Sequence, residues 1–581
     1  MNVYSIELRN HFWIDSGIAG LYLIANSNPE RLKLHNIEIK INEATNALEF
    51  IYNDLTELRS FLSECYEDLA MRYWNVSTTK QKENPEIVIM DKKTRELKLG
   101  PKRKPTPIAD LFVKGSSWKP EGISLDELDE DEKSKVLTFL EENKKSLWGK
   151  KKYLLYELPT CHTRLEILPE STSRRKTKTC CVCGKETSSF SEVGQPSYLL
   201  FASNTAAKSF NSEGKNPDVI CWECEYFSKF ALHTAGYKKI GDYLLIVQPY
   251  SPSIQMLIDI QSEMGAVSPL RRHGDDEIFY CNMGLESDSL VQYASKPFEL
   301  LFAFFYDKFS LLLNKRMDQK AADLTQEEID NLAEWLDKEE YNSFFKKVYS
   351  NPVIFYLIYA ETGSKTFITK DLTIYQDICY VFRLFKYMLE NNINIRLFYN
   401  SLWNNDDSKN PNMIRERACK KILFKEQILH IIEPFCFTKI LNGQTIAFSN
   451  VLNFMTNYEL LIRREGVDMN KEQIDIAVNL GKQIAGAVIP KPDSGGKRDR
   501  DATEAAVKKI KGDLFVLRKT RTSTDFLNEL NNIMFRYGIT VSNKILEGVL
   551  EDVKFEDFRA YCVMGALQVI NAANNSLKGE N

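Results

Sequence analysis

Two tight cysteine pairs constrain this chain more than any other feature: Cys180-Cys181-Val182-Cys183-Gly184-Lys185 and, after 37 intervening residues, Cys221-Trp222-Glu223-Cys224. Two residues between cysteines let one turn present both sulfurs to one tetrahedral ion at ~2.3 Å, and a glycine after the second cysteine tolerates the backbone such a knuckle needs. The spacing predicts a structural zinc site with Cys180, Cys183, Cys221 and Cys224 as ligands; Cys181 is a spare thiol or a ligand in an alternative register. Buried free cysteines and a redox pair are the competing readings, the second weakened because no thioredoxin-like βαβ pattern surrounds either pair. Four thiolates close the coordination shell, so such a metal folds the region and does no chemistry. Twelve cysteines in 581 residues are too sparse for a disulfide scaffold, and in a reducing compartment the pairs point to metal.

Around this centre the first hundred residues mix β-branched and aromatic runs (Ile37–Ile41, Glu86–Met90) with helical periodicity from Leu55 to Tyr73, which predicts α+β structure. Trp13 to Leu21 reads as a strand–turn–helix opening. A basic PKRKPTP stretch from Pro101, an acidic run Asp126–Glu132 and a basic Lys150–Lys152 follow; charge blocks of this kind are usually solvated. Asp242–Tyr250 returns to strand character. Beyond Glu286 the pattern is helical nearly throughout, at Leu290–Arg316, Thr325–Val348, Asp371–Glu390, Ile414–Ile432, Val451–Arg463 and Asn470–Ala487, and the last stretch reads as a bundle of four or five helices. The expected fold is α+β: a mixed α/β N-terminal domain (1–160), a segment carrying the inserted zinc finger (161–285), a helical middle domain (286–468) and a C-terminal helical bundle (469–581).

The chain is 43% apolar and 27% charged, a globular composition, and its 76 basic against 80 acidic side chains neither announce nor exclude a nucleic-acid partner. The amino terminus lacks a basic start and long apolar run, so no secretion signal and a cytoplasmic location are expected. The most apolar helical stretch, Phe298–Leu313, is shorter than the ~20 residues of a membrane span and carries Asp307 and Lys308; it reads as a buried helix.

No GxxxxGK[ST], HExxH, GxSxG or GxGxxG motif occurs, and the six histidines are scattered, so most hydrolase classes lose support and no enzyme is expected. His273-Gly274-Asp275-Asp276 resembles the turn with which nucleotide cyclases and polymerases hold two magnesium ions, but Leu270-Arg271-Arg272 precedes it where an apolar strand belongs. His162 beside Cys161 reads as structural or exposed. A further signal is electrostatic. Between Lys482 and Arg521 eleven Lys/Arg face five Asp/Glu, the cations including Lys497, Arg498, Arg500, Lys508, Lys509, Lys511, Arg518, Lys519 and Arg521. Such a stretch on one helical module suits a groove that tracks a single-stranded nucleic-acid backbone, with a solvated basic face as the alternative.

Taken together, Trp13-Ile14-Asp15-Ser16-Gly17-Ile18-Ala19-Gly20-Leu21, CxxCGK…CxxC and the helical C-terminal bundle resemble, in order along the whole chain, the large subunit of type I-B CRISPR Cascade complexes. The resemblance implies a non-catalytic subunit of an RNA-guided DNA surveillance complex acting in antiviral defence. It would recognise a protospacer-adjacent motif in double-stranded DNA, aid duplex opening, stabilise the R-loop and its displaced strand, and help recruit a separate helicase-nuclease. The implied partners are the guide CRISPR RNA and the backbone and 5′-end-binding Cascade subunits. Motif-reading loops vary in this family, so candidates come from chemistry alone: Lys102, Arg103 and Lys104 of the basic loop, Asn204, Lys208 and Asn211 between the cysteine pairs, and Gln248 in a turn. The alternatives are a type III-like large subunit with cyclase or polymerase activity at His273–Asp276, and a zinc-bearing scaffold without guide RNA.

The family often also makes its C-terminal bundle as a free small subunit by internal translation, which implies a start among Met413, Met455 and Met469. Glu465-Gly466-Val467 can be encoded by the purine run GAAGGAGT just upstream of Met469, whereas the codons of Asn450–Phe454 before Met455 cannot supply one. Met469 is the expected start, giving 113 residues to Asn581.

Overall fold

Alternation sets the first strands. Asn2–Glu7 pairs antiparallel with Ala47–Tyr52, whose other edge takes Glu38–Asn42, in the registers Tyr4↔Phe50 and Ile39↔Phe50. Helix Leu55–Arg72 contributes Leu58, Phe61, Leu62, Cys65 and Leu69 to the same core as Ile6, Leu48 and Phe50, at the i, i+3, i+4, i+7, i+11 spacing of one helical face. The computed structural model describes residues 1–72, 74–75, 86–101, 104–105, 121–145, 147, 153–156, 165–169, 177–194, 218–263, 283–284, 288–317, 348, 351–362, 367–491, 499–540 and 553–578.

Between the first two strands lies helix Phe12–Asn26, in which every residue from Trp13 to Leu21 is buried. The expected strand–turn–helix at Trp13–Leu21 is therefore corrected: the strand ends at Glu7, the turn is Leu8–His11, and the motif is helical throughout. Gly17 and Gly20 suggested a turn, but they serve as sites of close backbone approach. A Cβ on Gly17 would overlap the carbonyl oxygen of Phe227, with the carbonyl carbon at 2.7 Å, and one on Gly20 would overlap that of Phe230.

A second sheet runs Leu97–Pro101, Glu86–Met90, Tyr153–Leu155, Gly122–Ser124 and closes a small core of Val88, Met90, Leu128, Val136 and Leu154. A third, fully antiparallel, runs Gly236–Ile240, Tyr243–Tyr250, Ile354–Thr362, Phe367–Tyr375. Its last two strands correct the expectation of helix beyond Glu286, and of a helix starting at Asp371. IFYLIYAET and FITKDLTIY are β-branched and aromatic runs, and the end of the second, Asp371–Tyr375, directly precedes the helical period of Ile378–Glu390 and merges with it in the sequence.

The described residues of Met1–Tyr293, Ser310–Asp318 and Asn342–Ile378 form one compact unit, and those of Ala294–Phe309 and Cys379–Asn581 a second. The second is helical. The buried pair Glu299–Arg415 (2.6 Å, side chains 0% and 2% exposed) sits within it, with Asn412 also donating to Glu299. Helix Phe555–Lys578 packs along Lys471–Val488 and Leu429–Leu441. The first crossing is close because glycines meet carbonyls from both sides: Gly481 lies against Cys562, and Gly565 against Val478. The molecule is thus mixed α+β, with its sheets in the first unit, and no helix among the described residues is long and apolar enough to cross a membrane.

Candidate metal centre

The first cysteine pair is presented by a short hairpin. Strand Lys178–Thr179 pairs with Glu186–Thr187; Cys180 N–H donates to Lys185 O, and Gly184 N–H to Cys180 O, both at 2.9 Å. Gly184 sits at φ +71, a left-handed conformation that costs an L side chain but not glycine. The second pair opens a helix. Cys221 ends strand Val219–Cys221 and caps Trp222–Phe230, its Sγ accepting the Cys224 N–H at 3.4 Å. The Cys221 N–H in turn donates to Cys180 Sγ at 3.3 Å.

These two local structures bring the sulfurs of Cys180, Cys183, Cys221 and Cys224 within 4.8 Å of one another, with Cys183 and Cys221 3.7 Å apart. A tetrahedral ion with ~2.3 Å bonds to sulfur requires edges of about 3.8 Å, so the cluster is close to a coordination shell. Three of the cysteines are buried and Cys183 is half-buried. An all-sulfur donor set suits a soft or borderline cation and excludes magnesium or calcium chemistry. Hydrogen bonding from Cys221 and Cys224 holds the Cys180 thiol far below its ordinary value. Cys181 is exposed and stands outside the cluster.

The N-terminal motif closes on this centre. Trp13 Nε1 donates to Ser228 O at 3.0 Å, fixing helix Phe12–Asn26 to the helix that carries Cys224. Asp15 accepts the backbone N–H groups of Arg9 (2.6 Å) and His11 (3.0 Å), shaping the Leu8–His11 turn, while burial pushes its carboxyl up to about 6. That turn places Arg9, whose Nη2 donates to Glu223 at 2.8 Å; Tyr4 OH donates to the other oxygen of the same carboxylate at 2.7 Å. Glu223 stands between Cys221 and Cys224 in the sequence. Arg9, Tyr4 and Glu223 escaped the sequence reading.

The remaining expected site residues fall in three groups. Lys102, Arg103, Asn204, Lys208, Asn211, Lys497, Arg498 and the His273–Asp276 turn lie outside the described residues, as does His162; Lys104 is described only as strand backbone. Gln248 corrects the expectation of an exposed turn: it lies within strand Tyr243–Tyr250 at 0% exposure, and its Nε2 donates to Thr234 Oγ1 and Pro249 O. Its strand is central in the third sheet, which removes it from any surface. The basic residues of the C-terminal module are placed on helix Arg500–Lys519 and just beyond.

There Arg500, Lys508, Lys509, Lys511, Lys519 and Arg521 are exposed, and Arg518 is half-buried. Arg500 meets Glu504 at 3.0 Å and Arg518 meets Glu433 at 2.7 Å, whereas Lys509 lies over the Tyr537 ring and Lys519 over that of Phe515. A cavity of about 500 Å³ is lined by Arg500, Lys508 and Lys511 together with Glu504 and Asn574. Met469 is 6% exposed and directly precedes the capping box of Asn470 and Gln473. A product starting there would lack helix Leu429–Leu441, which packs against Phe555–Lys578. Compared with models of known protein families and with curated proteins, the sequence matches none.

Proposed function

We propose that this chain is the non-catalytic, DNA-binding large subunit of a type I-B CRISPR Cascade complex, and that its four-cysteine centre holds a structural zinc ion. The nucleic-acid part rests on helix Arg500–Lys519. Lys508, Lys509, Lys511 and Lys519 are exposed along it with Arg521 just beyond, while Glu504 is engaged by Arg500 and Asp513 by Arg536 and Tyr537, leaving Asp501 as the exposed acid of the first turn. The result is a positive surface suited to phosphates. In the proposed complex, guide RNA reads target sequence by base pairing while this surface takes the displaced strand without regard to sequence. Motif recognition and recruitment of the helicase-nuclease belong to the same reading.

Zinc is favoured over other soft cations because four thiolates at tetrahedral spacing form the closed shell typical of structural zinc. When bound, the metal would supply a cross-link between the two cysteine pairs; the chain's own residues form the turn and helix that hold them. Purified protein should contain about one zinc per chain, and Cys183→Ser should lose it together with the order of the centre. For the DNA-binding reading, replacing Lys508, Lys509 and Lys511 by Ala should weaken single-stranded DNA binding about equally across sequences. The slope of log K against log salt should shrink by about 0.7 per lost contact; an unchanged slope would refute it.

A further inference from the structure

Tracking phosphates needs only an exposed basic face, yet helix Arg500–Lys519 borders a cavity as well. Arg500, Glu504, Val507, Lys508 and Lys511 fall at i, i+4, i+7, i+8 and i+11, one side of a helix, and all five line the same space of about 500 Å³. The rest of the wall comes from Leu441 and Gly443 at the end of helix Leu429–Leu441, and from Asn574 and Leu577 in helix Phe555–Lys578. The volume lies within the ~300–1,000 Å³ of sites that hold small organic ligands, and the lining selects their chemistry. Three cations stand against one carboxylate, Glu504, which Arg500 already meets at 3.0 Å, so the charge left over is positive. Lys511 Nζ donates to Leu441 O at 3.2 Å, tying the basic helix to the apolar wall. Leu441 is buried, and Val507 and Leu577 are half-buried. Asn574, 6% exposed, is held by its Nδ2, which donates to Ile440 O at 2.9 Å and leaves the amide oxygen to accept from a ligand. A bare phosphate has no use for the apolar wall, and a lipid tail none for the cations. A nucleotide uses both, and Lys509, Lys519 and Arg521, exposed nearby, continue the positive surface on which the neighbouring phosphates of a strand can run.

We propose that this cavity receives one nucleotide of a single DNA strand, its base against Leu441, Val507 and Leu577 with an edge on Asn574, and its phosphate on Lys508 and Lys511. This rests on the DNA-binding reading of the helical module and deepens it: the basic face holds the strand by its phosphates, and the cavity anchors it at one base. The lining contains no aromatic ring among the described residues, so the base is held by apolar burial rather than by stacking. A chain beginning at Met469 would carry the basic helix without Leu441 and Gly443, so the complete site belongs to the long chain alone.

The test measures binding of the full chain to two dye-labelled single strands of equal length, one of thymidine nucleotides and one in which every base is replaced by an abasic analogue. Phosphate contacts alone give the two strands equal affinity. The cavity should make the thymidine strand bind about 10-fold more tightly, the ratio expected from burying roughly 60 Å² of apolar surface. The double variant Val507→Gln, Leu577→Gln turns the apolar wall polar without changing charge. It should bring the ratio close to one and leave the slope of log K against log salt at its wild-type value, because the phosphate contacts remain. If the double variant does not fold, Val507→Gln alone should lower the ratio to about 3-fold, and a wild-type ratio there would refute the proposal. Equal affinity of the wild-type chain for both strands would overturn this inference and leave the DNA-binding reading standing. A double variant that keeps the wild-type ratio would also overturn it, placing the bases on exposed rings such as Phe535, which is 90% exposed. A wild-type chain that binds neither strand would overturn the DNA-binding reading itself, and this inference with it.

Discussion

Gly17→Ala is the substitution that most directly probes how the N-terminal motif and the metal centre are joined. In an exposed helix this change would stabilise by about 1 kcal/mol, because alanine is the better helix former. At Gly17 the new methyl would overlap the Phe227 carbonyl oxygen, with the carbonyl carbon at 2.7 Å and Ala231 N at 3.3 Å. Carbon–carbon contact needs about 3.5 Å, so helices Phe12–Asn26 and Trp222–Phe230 must part by about 1 Å. That movement stretches the 3.0 Å bond from Trp13 Nε1 to Ser228 O past hydrogen-bonding range and leaves two buried polar groups unmet. Overpacking costs about 1–3 kcal/mol and the broken bond about 1–3 kcal/mol more. With the gain in helix propensity set against them, the net loss is about 3 kcal/mol. For a unit of roughly 340 residues the midpoint should fall by about 4 °C. Because Cys224 rides on the displaced helix, metal retention should fall as well. Thermal melts of the metal-loaded protein, followed by circular dichroism and paired with a chelator competition, measure both. A Gly17→Ala protein that melts at or above the wild-type temperature and keeps its metal would refute the reasoning.

The second unit supplies further tests. Gly481→Ala should destabilise by about 1–3 kcal/mol, because its Cβ would meet Cys562 O and stand 2.7 Å from Ala566 N, while Gly486→Ala in the same helix, with nothing within 4 Å, should stabilise by about 1 kcal/mol; melts of the two side by side settle it. Burial raises Glu459 from 4.5 to about 7 even though it accepts the N–H groups of Ile428 and Leu429. The folded state therefore binds the proton more tightly than the unfolded chain, and this group's contribution is full below pH 4.5 and lost as pH rises through about 7. Glu459→Gln should flatten the decline in urea stability over that window; an unchanged pH profile would show that Glu459 titrates normally. Synonymous recoding of Glu465–Val467 should remove a 113-residue chain from intact-mass spectra of the native gene's products without changing the long chain.

What the sequence made legible was local. The four-cysteine cluster could be read because two residues between cysteines fix the geometry of a turn regardless of what surrounds it. The strands at Glu86–Met90 and Asp242–Tyr250 and the helix after Asn470 were legible for the same reason, since side-chain period and capping residues act over a few positions. Arg9 answering Glu223 was not, because 214 residues separate them. Nor could the composition of the basic module say that Arg518 is matched by Glu433, 85 residues away, while Lys508 faces solvent. Ile354–Thr362 was assigned to no element, and the end of Phe367–Tyr375 was drawn into the expected helix Asp371–Glu390, because a short apolar run fits either period until its neighbours in the sheet are known.

The functional claim is tested most directly by purifying the chain from its native host under gentle conditions and sequencing the RNA that comes with it. The account predicts a short guide RNA of uniform length at stoichiometric yield, together with several smaller proteins that bind its backbone and its 5′ end. A chain that purifies free of RNA and of such partners, while retaining its metal, would contradict the proposal and leave a metal-stabilised scaffold in its place.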